Sequence, residues 1–375
     1  MKTALLKVES GSPRQAAANF FQALLDRQVV DALIVPREVP SRRMVVPALA
    51  VSGDGLSGAN PFAPVAIINA ARAVSRLTSR DPGVKVGAVL RPCEIRALVE
   101  MAKFQQIILE QVLIIGTDCL GTFEPADYYH LTGAGFDTDA WLAQAAGSGK
   151  AALNGTKTRT ACAICEAISP SGAHLSLHWV DCDVHRELYI AYDDERVNLD
   201  ALFDGGILVP GELPAARQSL VESLQKERRE LAQEMCRDFA SRVADVNRLL
   251  DELAPCLGCH NCREVCPICV CRECVFDSNL FEHEPSRYLH WAAARGALEL
   301  PTNTLLYHLT RMHHMGVSCV GCGQCESGCP SKIPLTLLFR TIGQKLQDLF
   351  SYVPGASMDE PPPLTTYKEH ELEPR

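Results

Sequence analysis

Apolar positions along the chain alternate between two rhythms. Ser12 and Pro13 stand as N-cap and first helical position of a segment over residues 12–28, where Ala16, Phe20, Phe21, Leu24 and Leu25 recur at helical spacing. A strand-like run follows from Val29 to Val35. The alternation then repeats: PVAIINAARAVSRL from Pro64 predicts a helix, VKVGAVL from Val84 a buried strand, EIRALVEMAKF a helix, and VLIIGTD from Val112 another strand. Strands alternating with helices predict an α/β domain whose functional groups sit in loops at the strand ends.

The middle of the chain carries ACAICEAISPSG from Ala161 and two alternating stretches, LSLHWV and ELYIAY, that read as strands. From Ala215 to Leu253 the sequence is charged and periodic, with Leu220, Leu224, Leu231, Met235, Phe239, Val243 and Leu250 along one side. That pattern predicts one long amphipathic helix or two in tandem. The chain thus divides into an α/β part over 1–210, a helical linker over 211–254 and a cysteine-rich, mainly helical part over 255–350. Its last stretch, 351–375, is rich in proline and charge and is expected to be a disordered tail or a partner-docking arm.

At 375 residues, with 47% hydrophobic and 22% charged content, the chain is long enough for two or three packed domains. A net charge of -9 argues against nucleic acid or an anionic membrane surface as partner, since either rewards a basic face. The opening MKTALLKVES has no secretory apolar region, and no stretch approaches the roughly 20 apolar residues of a membrane span, so a cytoplasmic protein is expected. Seventeen cysteines in a reducing compartment point to metal rather than disulfides.

CLGCHNCREVCP places Cys256, Cys259, Cys262 and Cys266 at C-x2-C-x2-C-x3-C before Pro267. CVGCGQCESGCP repeats the spacing with Cys319, Cys322, Cys325 and Cys329 before Pro330. Three thiolates at two-residue intervals wrap three corners of a four-iron, four-sulfur cubane, and the fourth of each run ligates the other cluster. Cys256, Cys259, Cys262 and Cys329 therefore form one set, and Cys319, Cys322, Cys325 and Cys266 the other. Zinc ribbons pair two C-x2-C knuckles and have no use for a third cysteine two residues on or for a C-x3-C-P ending. The roughly fifty residues between the motifs contain helical sequence, SRYLHWAAARGALEL and TLLYHLTRMHHMG, as in an α-helical ferredoxin.

Four further cysteines lie near the expected strand ends: Cys93 in RPCEIRAL, Cys119 in IIGTDCLGT, and Cys162 with Cys165 in ACAIC. They could converge on a third cubane, or be packing cysteines. Cys269, Cys271 and Cys274 form a tight C-x-C-x2-C run that, with Cys236, leaves another cluster, a metal or a structural turn open. His283, His290, His308, His313 and His314 are assigned no ligand role, since lone histidines on amphipathic helices are usually surface or capping residues.

RPCEIRALVEM, VLIIGTDC, NPFAPVAIINAA from Asn60 and the CxxC of Cys162 and Cys165 together resemble the beta subunits of deazaflavin-coenzyme hydrogenases and formate dehydrogenases. CPICVCREC from Cys266 and the helical ferredoxin ending resemble the formate dehydrogenase type. The resemblance implies an FAD-binding domain and places the four N-terminal cysteines as ligands of a third cluster. In the family the segment after CxxC runs acidic and then glycine-containing, whereas here it reads HWVDCDVH, so Cys182 is the replacement if one of the four does not ligate. The chain has no G-x-G-x-x-G after an early strand. By resemblance the flavin lies along the Asn60 to Ala70 segment, with Asn60 and Asn69, and beside the RPCEIR loop. There Arg91 and Arg96 would offset negative charge, or else pair with Glu94 and Glu100.

The function so implied is a flavin and iron–sulfur electron-transfer subunit of an oxidoreductase complex. It would exchange electrons between a deazaflavin hydride carrier and a formate dehydrogenase, hydrogenase or heterodisulfide-reductase-type partner. Two alternatives stay open: a flavin-free relay subunit, and a flavoprotein using the nicotinamide carrier NAD(P)H.

Overall fold

The computed structural model describes residues 1–153 and 155–366. The N-terminal residues, too short an apolar run to suggest an element, form β1 (Lys2–Lys7), which buries Ala4 and Leu6 in alternation. Helix α1 (Pro13–Asp26) begins as the sequence predicts, with the Ser12 hydroxyl accepting from the Gln15 amide at 3.3 Å and Phe20, Phe21 and Leu24 buried. Strands β2 (Ala32–Val39) and β3 (Met44–Ala50) pair antiparallel, and α2 spans Ala71–Thr78. Next come β4 (Val86–Leu90), α3 (Pro92–Lys103), β5 (Val112–Thr117), α4 (Pro125–Gly133), α5 (Thr138–Ser148) and the single turn α6 (Thr160–Ala163). The α/β part closes with β6 (Leu175–His178), β7 (Glu187–Tyr192), α7 (Asp200–Asp204) and β8 (Leu208–Pro210).

The eight strands make one sheet in the order β3-β2-β4-β5-β6-β7-β1-β8. Neighbours β2, β4, β5 and β6 run parallel, and the remaining pairs antiparallel. Every residue of β4 and β5 is buried, as central parallel strands require, which is why both read as unbroken apolar runs.

Residues 64–70 are not helical, contrary to the sequence expectation. The Ala63 and Val65 carbonyls accept instead from the Arg91 guanidinium at 2.9 and 2.7 Å, and Val65 bridges Phe123. The segment therefore threads past the sheet end as buried irregular chain.

The charged linker is two helices in tandem, α8 (Ala215–Arg242) and α9 (Val246–Leu253). Its buried stripe departs from the sequence reading, because Leu231 is 39% exposed and its neighbour Ala232 packs instead. Beyond it lie α10 (Asn261–Glu264), α11 (Pro285–Arg295), α12 (Thr304–Met315), α13 (Gln324–Ser327) and α14 (Leu335–Phe350). Leu335, Leu338 and Phe339 of α14 share one buried apolar cluster with Ile95 and Leu98 of α3 and with Leu90 of β4. The cysteine-rich helices thus pack on one face of the sheet layer rather than hanging from it.

Within the segment expected as a tail, Tyr352 is buried and its hydroxyl donates to the Glu100 carboxylate at 2.5 Å. The Gly355 amide donates to the same oxygen at 2.8 Å, and Lys103 lies 3.2 Å from it. Residues 367–375 lie outside the described residues.

Helix α8 is tied to the sheet by a buried charge network. Arg217 donates to Asp118 at 2.8 Å, and His178 Nδ1 lies 2.9 Å from the same carboxylate oxygen. The other oxygen accepts from the Trp179 and Val180 amides. Burial favours the neutral acid, but His178 and Arg217 hold the Asp118 carboxyl down to about 2. Replacing Asp118 by Ala leaves Arg217 buried without its anion and should cost about 3–5 kcal/mol. The lowered thermal midpoint can be followed by circular dichroism, and an unchanged melting curve would mean that this network does not hold α8 in place.

Candidate iron–sulfur centres

The two ferredoxin-type motifs adopt matching backbones. In each, the residue before a one-turn helix is left-handed: His260 with φ 57° before α10, and Gly323 with φ 70° before α13. Gly323 has a second reason to lack a side chain, since an added Cβ would stand 2.3 Å from the Ala161 side chain. His260 stabilises its turn by stacking on Tyr307 at 4.5 Å between ring centroids and by bonding Asp277 at 2.9 Å.

The thiols group across the motifs. Burial raises Cys256, and Cys262, Cys329 and Cys259 add to the rise. Burial likewise raises Cys319, Cys325 and Cys322, the last to about 12, and in all three Cys266 is the cysteine that contributes most. Cys329 is thus among the charge neighbours of the first motif's Cys256, and Cys266 among those of the second motif's Cys319, Cys322 and Cys325. Backbone amides work the other way: those of Gly258, Gly321 and Gln324 hydrogen-bond Cys256, Cys319 and Cys322 and favour their thiolates.

The N-terminal cysteines also gather. Cys93 opens α3 just beyond β4, Cys119 follows β5, Cys162 lies in α6, and Cys165 follows it. Burial lifts Cys93 well above the thiol range, with Glu94, Cys322, Cys165 and Cys119 adding. Burial raises Cys119 to about 12 against the pull of Arg91, with Cys162 and Cys165 contributing. Cys162 goes down despite its burial, because Arg159 and the Thr122 hydroxyl favour its anion. The structure thus brings together all four cysteines and sets Cys322 beside them.

Helix α8 clamps the loops that carry these thiols. Arg228 donates to the Leu120 and Cys165 carbonyls at 2.7 and 2.9 Å, and Gln225 to the Glu166 carbonyl at 3.1 Å. Arg159, Arg217, Arg228 and Arg311 were not singled out in the sequence, where a lone arginine carries no signal. Asp118 was visible there only as the residue before Cys119.

Cys182 is not part of this group. Burial raises it to about 12, its charged neighbours are Asp118, Arg217, Glu187 and Asp181, and its thiol points at the Val180 carbonyl. Cys269 is half-buried, and desolvation raises it to about 12, with Cys266 and then Cys271 adding. Cys274 packs in the same apolar cluster, whereas Cys236 borders a separate cavity between α8 and α14. His308, unlike the usual surface histidine, is buried with both ring nitrogens unpartnered, and burial with Arg311 lowers it to about 4.

The four residues expected at a flavin are engaged with different partners. Arg91 is committed to the Ala63 and Val65 carbonyls and lies 3.5 Å from Glu94. Arg96 faces the other way, donating to the Pro354 carbonyl at 2.9 Å beside a cavity that also touches Cys165, Arg340 and Tyr352. The Asn60 amide donates to Glu38 and Thr138, and Asn69 accepts from the Ala71 amide. Asn60 Oδ1 and Asn69 Nδ2 remain buried without partners, both on the loop that passes the sheet end. These two atoms are the part of the set that fits an added polar ring.

Among the described residues, no three His, Cys, Asp or Glu side chains converge closely enough to hold one metal ion. A cubane presents four separate iron corners, so its ligands stand farther apart than those of a single ion. No helix among the described residues is long and apolar enough to cross a membrane.

No family model matches the chain. Across 92% of its length it is 23% identical to the F420-dependent formate dehydrogenase subunit beta of Methanocaldococcus jannaschii, covering 93% of that protein. Across 95% it is 25% identical to the F420-dependent formate dehydrogenase 1 subunit beta of Methanococcus maripaludis, covering 94% of it. A shorter stretch, 21% of the chain, is 35% identical to the sulfhydrogenase 2 subunit beta of Pyrococcus furiosus, over 28% of that protein. Among solved structures, the F420-reducing NiFe hydrogenase complex of Methanosarcina barkeri contains a chain that matches with a TM-score of 0.48 and 14% identity, over 66% of this chain and 94% of that one. That likeness is too loose to bear on function.

The crossed grouping has a direct consequence. Were the two sets to hold clusters, Cys266→Ser should perturb the one with Cys319, Cys322 and Cys325 and spare the one with Cys256, Cys259 and Cys262. Mössbauer and electron paramagnetic resonance (EPR) spectra of the variant check this, and a disturbance confined to the Cys256 set would mean that each motif binds its own fourth cysteine.

Proposed function

We propose that this chain, a relative of formate dehydrogenase and hydrogenase beta subunits, is the electron-transfer subunit of a cytoplasmic oxidoreductase complex. Three cubanes in series would carry its electrons. The observation that carries the reading is the sequence of thiol neighbourhoods: Cys93 beside Cys322, Cys322 beside Cys266, and Cys266 in the motif that opens with Cys256. The full series is Cys93, Cys119, Cys162 and Cys165; then Cys319, Cys322, Cys325 and Cys266; then Cys256, Cys259, Cys262 and Cys329. The last two sets with their helices make up an α-helical dicluster ferredoxin module over 255–350.

The finer part of the reading adds FAD and a deazaflavin hydride carrier at one end, with a formate dehydrogenase, hydrogenase or heterodisulfide-reductase-type subunit at the other. A bound flavin would accept a hydride's electron pair and release it singly, and each cubane would carry one electron. In this chain Asn60 Oδ1 and Asn69 Nδ2 would orient the flavin, and Arg91 would hold their loop against the sheet through the Ala63 and Val65 carbonyls. Apolar packing surrounds Cys262, Cys329 and the cysteines of the second motif, and the Gly258 and Gly321 amides favour Cys256 and Cys319 as anions.

Anaerobic iron and sulfide analysis of the full chain tests the series. About twelve irons per chain are expected, falling to about eight in Cys93→Ser/Cys162→Ser with both ferredoxin-type signals kept. A wild-type value of about eight would leave the N-terminal cysteines as packing residues. Denaturation should release FAD, and Asn69→Ala should lower flavin per iron. Full iron with no releasable flavin would favour the flavin-free relay, and reduction by NAD(P)H but not by the deazaflavin would favour the nicotinamide-linked alternative.

A further inference from the structure

Two buried arginines stand among cysteines of neighbouring sets: Arg311 donates to the Cys262 carbonyl and lines a small cavity with Cys266, Cys319, Cys322 and Cys325, and Arg159 reaches both Cys162 and Ser327, which lies between Cys325 and Cys329. Arg311, on α12, is 4% exposed. One of its nitrogens donates to the Cys262 carbonyl at 3.0 Å, and its guanidinium lies 4.9 Å from the centroid of the Phe339 ring. Its Nε and its other terminal nitrogen have no partner. Although burial disfavours its charge, the thiols of Cys262, Cys266 and Cys325 raise its pKa above the usual arginine value. Those three cysteines belong to both ferredoxin-type sets.

Arg159, just before α6, is 5% exposed and holds the corresponding position one step along. It donates to the Thr122 hydroxyl at 2.8 Å and the Ser327 hydroxyl at 3.4 Å, and it stands 3.6 Å from Cys162 Sγ. Against its burial, Cys162, Cys93 and Cys322 favour its charge, and Glu124 follows them. The first two of these thiols belong to the N-terminal set and the third to its neighbour.

A buried guanidinium without a paired anion costs several kcal/mol. Among the described residues, no carboxylate forms a salt bridge with Arg311 or Arg159, and Glu124 acts on Arg159 only at longer range. Two adjacent cubanes held by these cysteines, each with four thiolates, would supply the missing negative charge, and their mutual repulsion would disfavour adding an electron to either.

We infer that Arg159 and Arg311 are positioning and tuning residues of the electron path, each holding a permanent positive charge between two neighbouring clusters and raising the reduction potential of both. The inference rests on the three-cluster reading for Arg159, and for Arg311 on the two ferredoxin-type clusters alone. Net charge and hydrogen bonds to the sulfurs are established levers on cubane potential. A guanidinium suits the task because it stays charged at any working pH.

Redox titration of the full chain followed by EPR, with iron and sulfide counted for each variant, tests this. Arg311→Met should make both ferredoxin-type clusters at least tenfold harder to reduce, a shift of about 59 mV for one electron, and leave the third signal in place. Arg159→Met should do the same for the N-terminal cluster and the Cys319 cluster and spare the Cys256 cluster. Lysine at either position should keep the potentials near wild type. Methionine variants with full iron and unchanged potentials would overturn the inference. Where methionine costs iron, the lysine variant decides: native iron and potentials support charge compensation, and equal loss of iron refutes it. If the wild-type chain binds only about eight irons, the three-cluster reading and the Arg159 arm fall together, while Arg311→Met still tests charge compensation at the two ferredoxin-type clusters.

Discussion

Burying thiolate charge is the constraint on which the rest of this structure depends. A cysteine taken out of water resists ionising, and burial is the largest influence on Cys93, Cys119, Cys256, Cys319, Cys322 and Cys325 alike. A cluster ligand must nevertheless be an anion. The chain meets that demand with local amides, as at Gly258 and Gly321, with arginines set among the thiols, and with the metal charge that the proposed clusters would bring.

Helix α8 shows how the same constraint shapes the fold. Its sequence is highly charged, yet Arg217 and Arg228 turn inward, one onto Asp118 and the other onto carbonyls beside Cys119 and Cys165. Both contacts fix loops that could not otherwise hold thiols in register. On the far side of those loops α14 joins the apolar cluster of α3 and β4, so the second ferredoxin-type motif and that face of the sheet share a single packed interior. The latch of Tyr352 and Gly355 onto Glu100 closes that interior from the C-terminal side.

The polar groups on the Asn60–Asn69 loop are divided in the same spirit. Arg91 holds the loop through the Ala63 and Val65 carbonyls, and Arg96 donates to the Pro354 carbonyl of the C-terminal segment. Two asparagine atoms are what the loop leaves open. The strained His260 turn, by contrast, is fully used, stacked on Tyr307 and bonded to Asp277 beside the first motif.

Local chemistry was legible in the sequence. The C-x2-C-x2-C-x3-C-P runs, the Ser12 cap, the apolar β4 and β5 and the tandem helices over 215–253 all depend on neighbours a few residues apart, and short-range geometry decides them. Strands β1 and β3 escaped notice because tertiary pairing, rather than a strong local pattern, makes them strands. The helix expected from Pro64 forms only from Ala71, and over residues 64–70 a long-range contact takes its place, a guanidinium twenty-six residues along the chain holding the Val65 carbonyl. Sequence alone therefore determined which cysteines are spaced to wrap a cluster. Which of them stand together across hundreds of residues, and that Arg159 and Arg311 lie buried against Cys162 and Cys262, was decided by packing in the tertiary structure, because a buried charge acts through space and leaves no periodic mark on the chain.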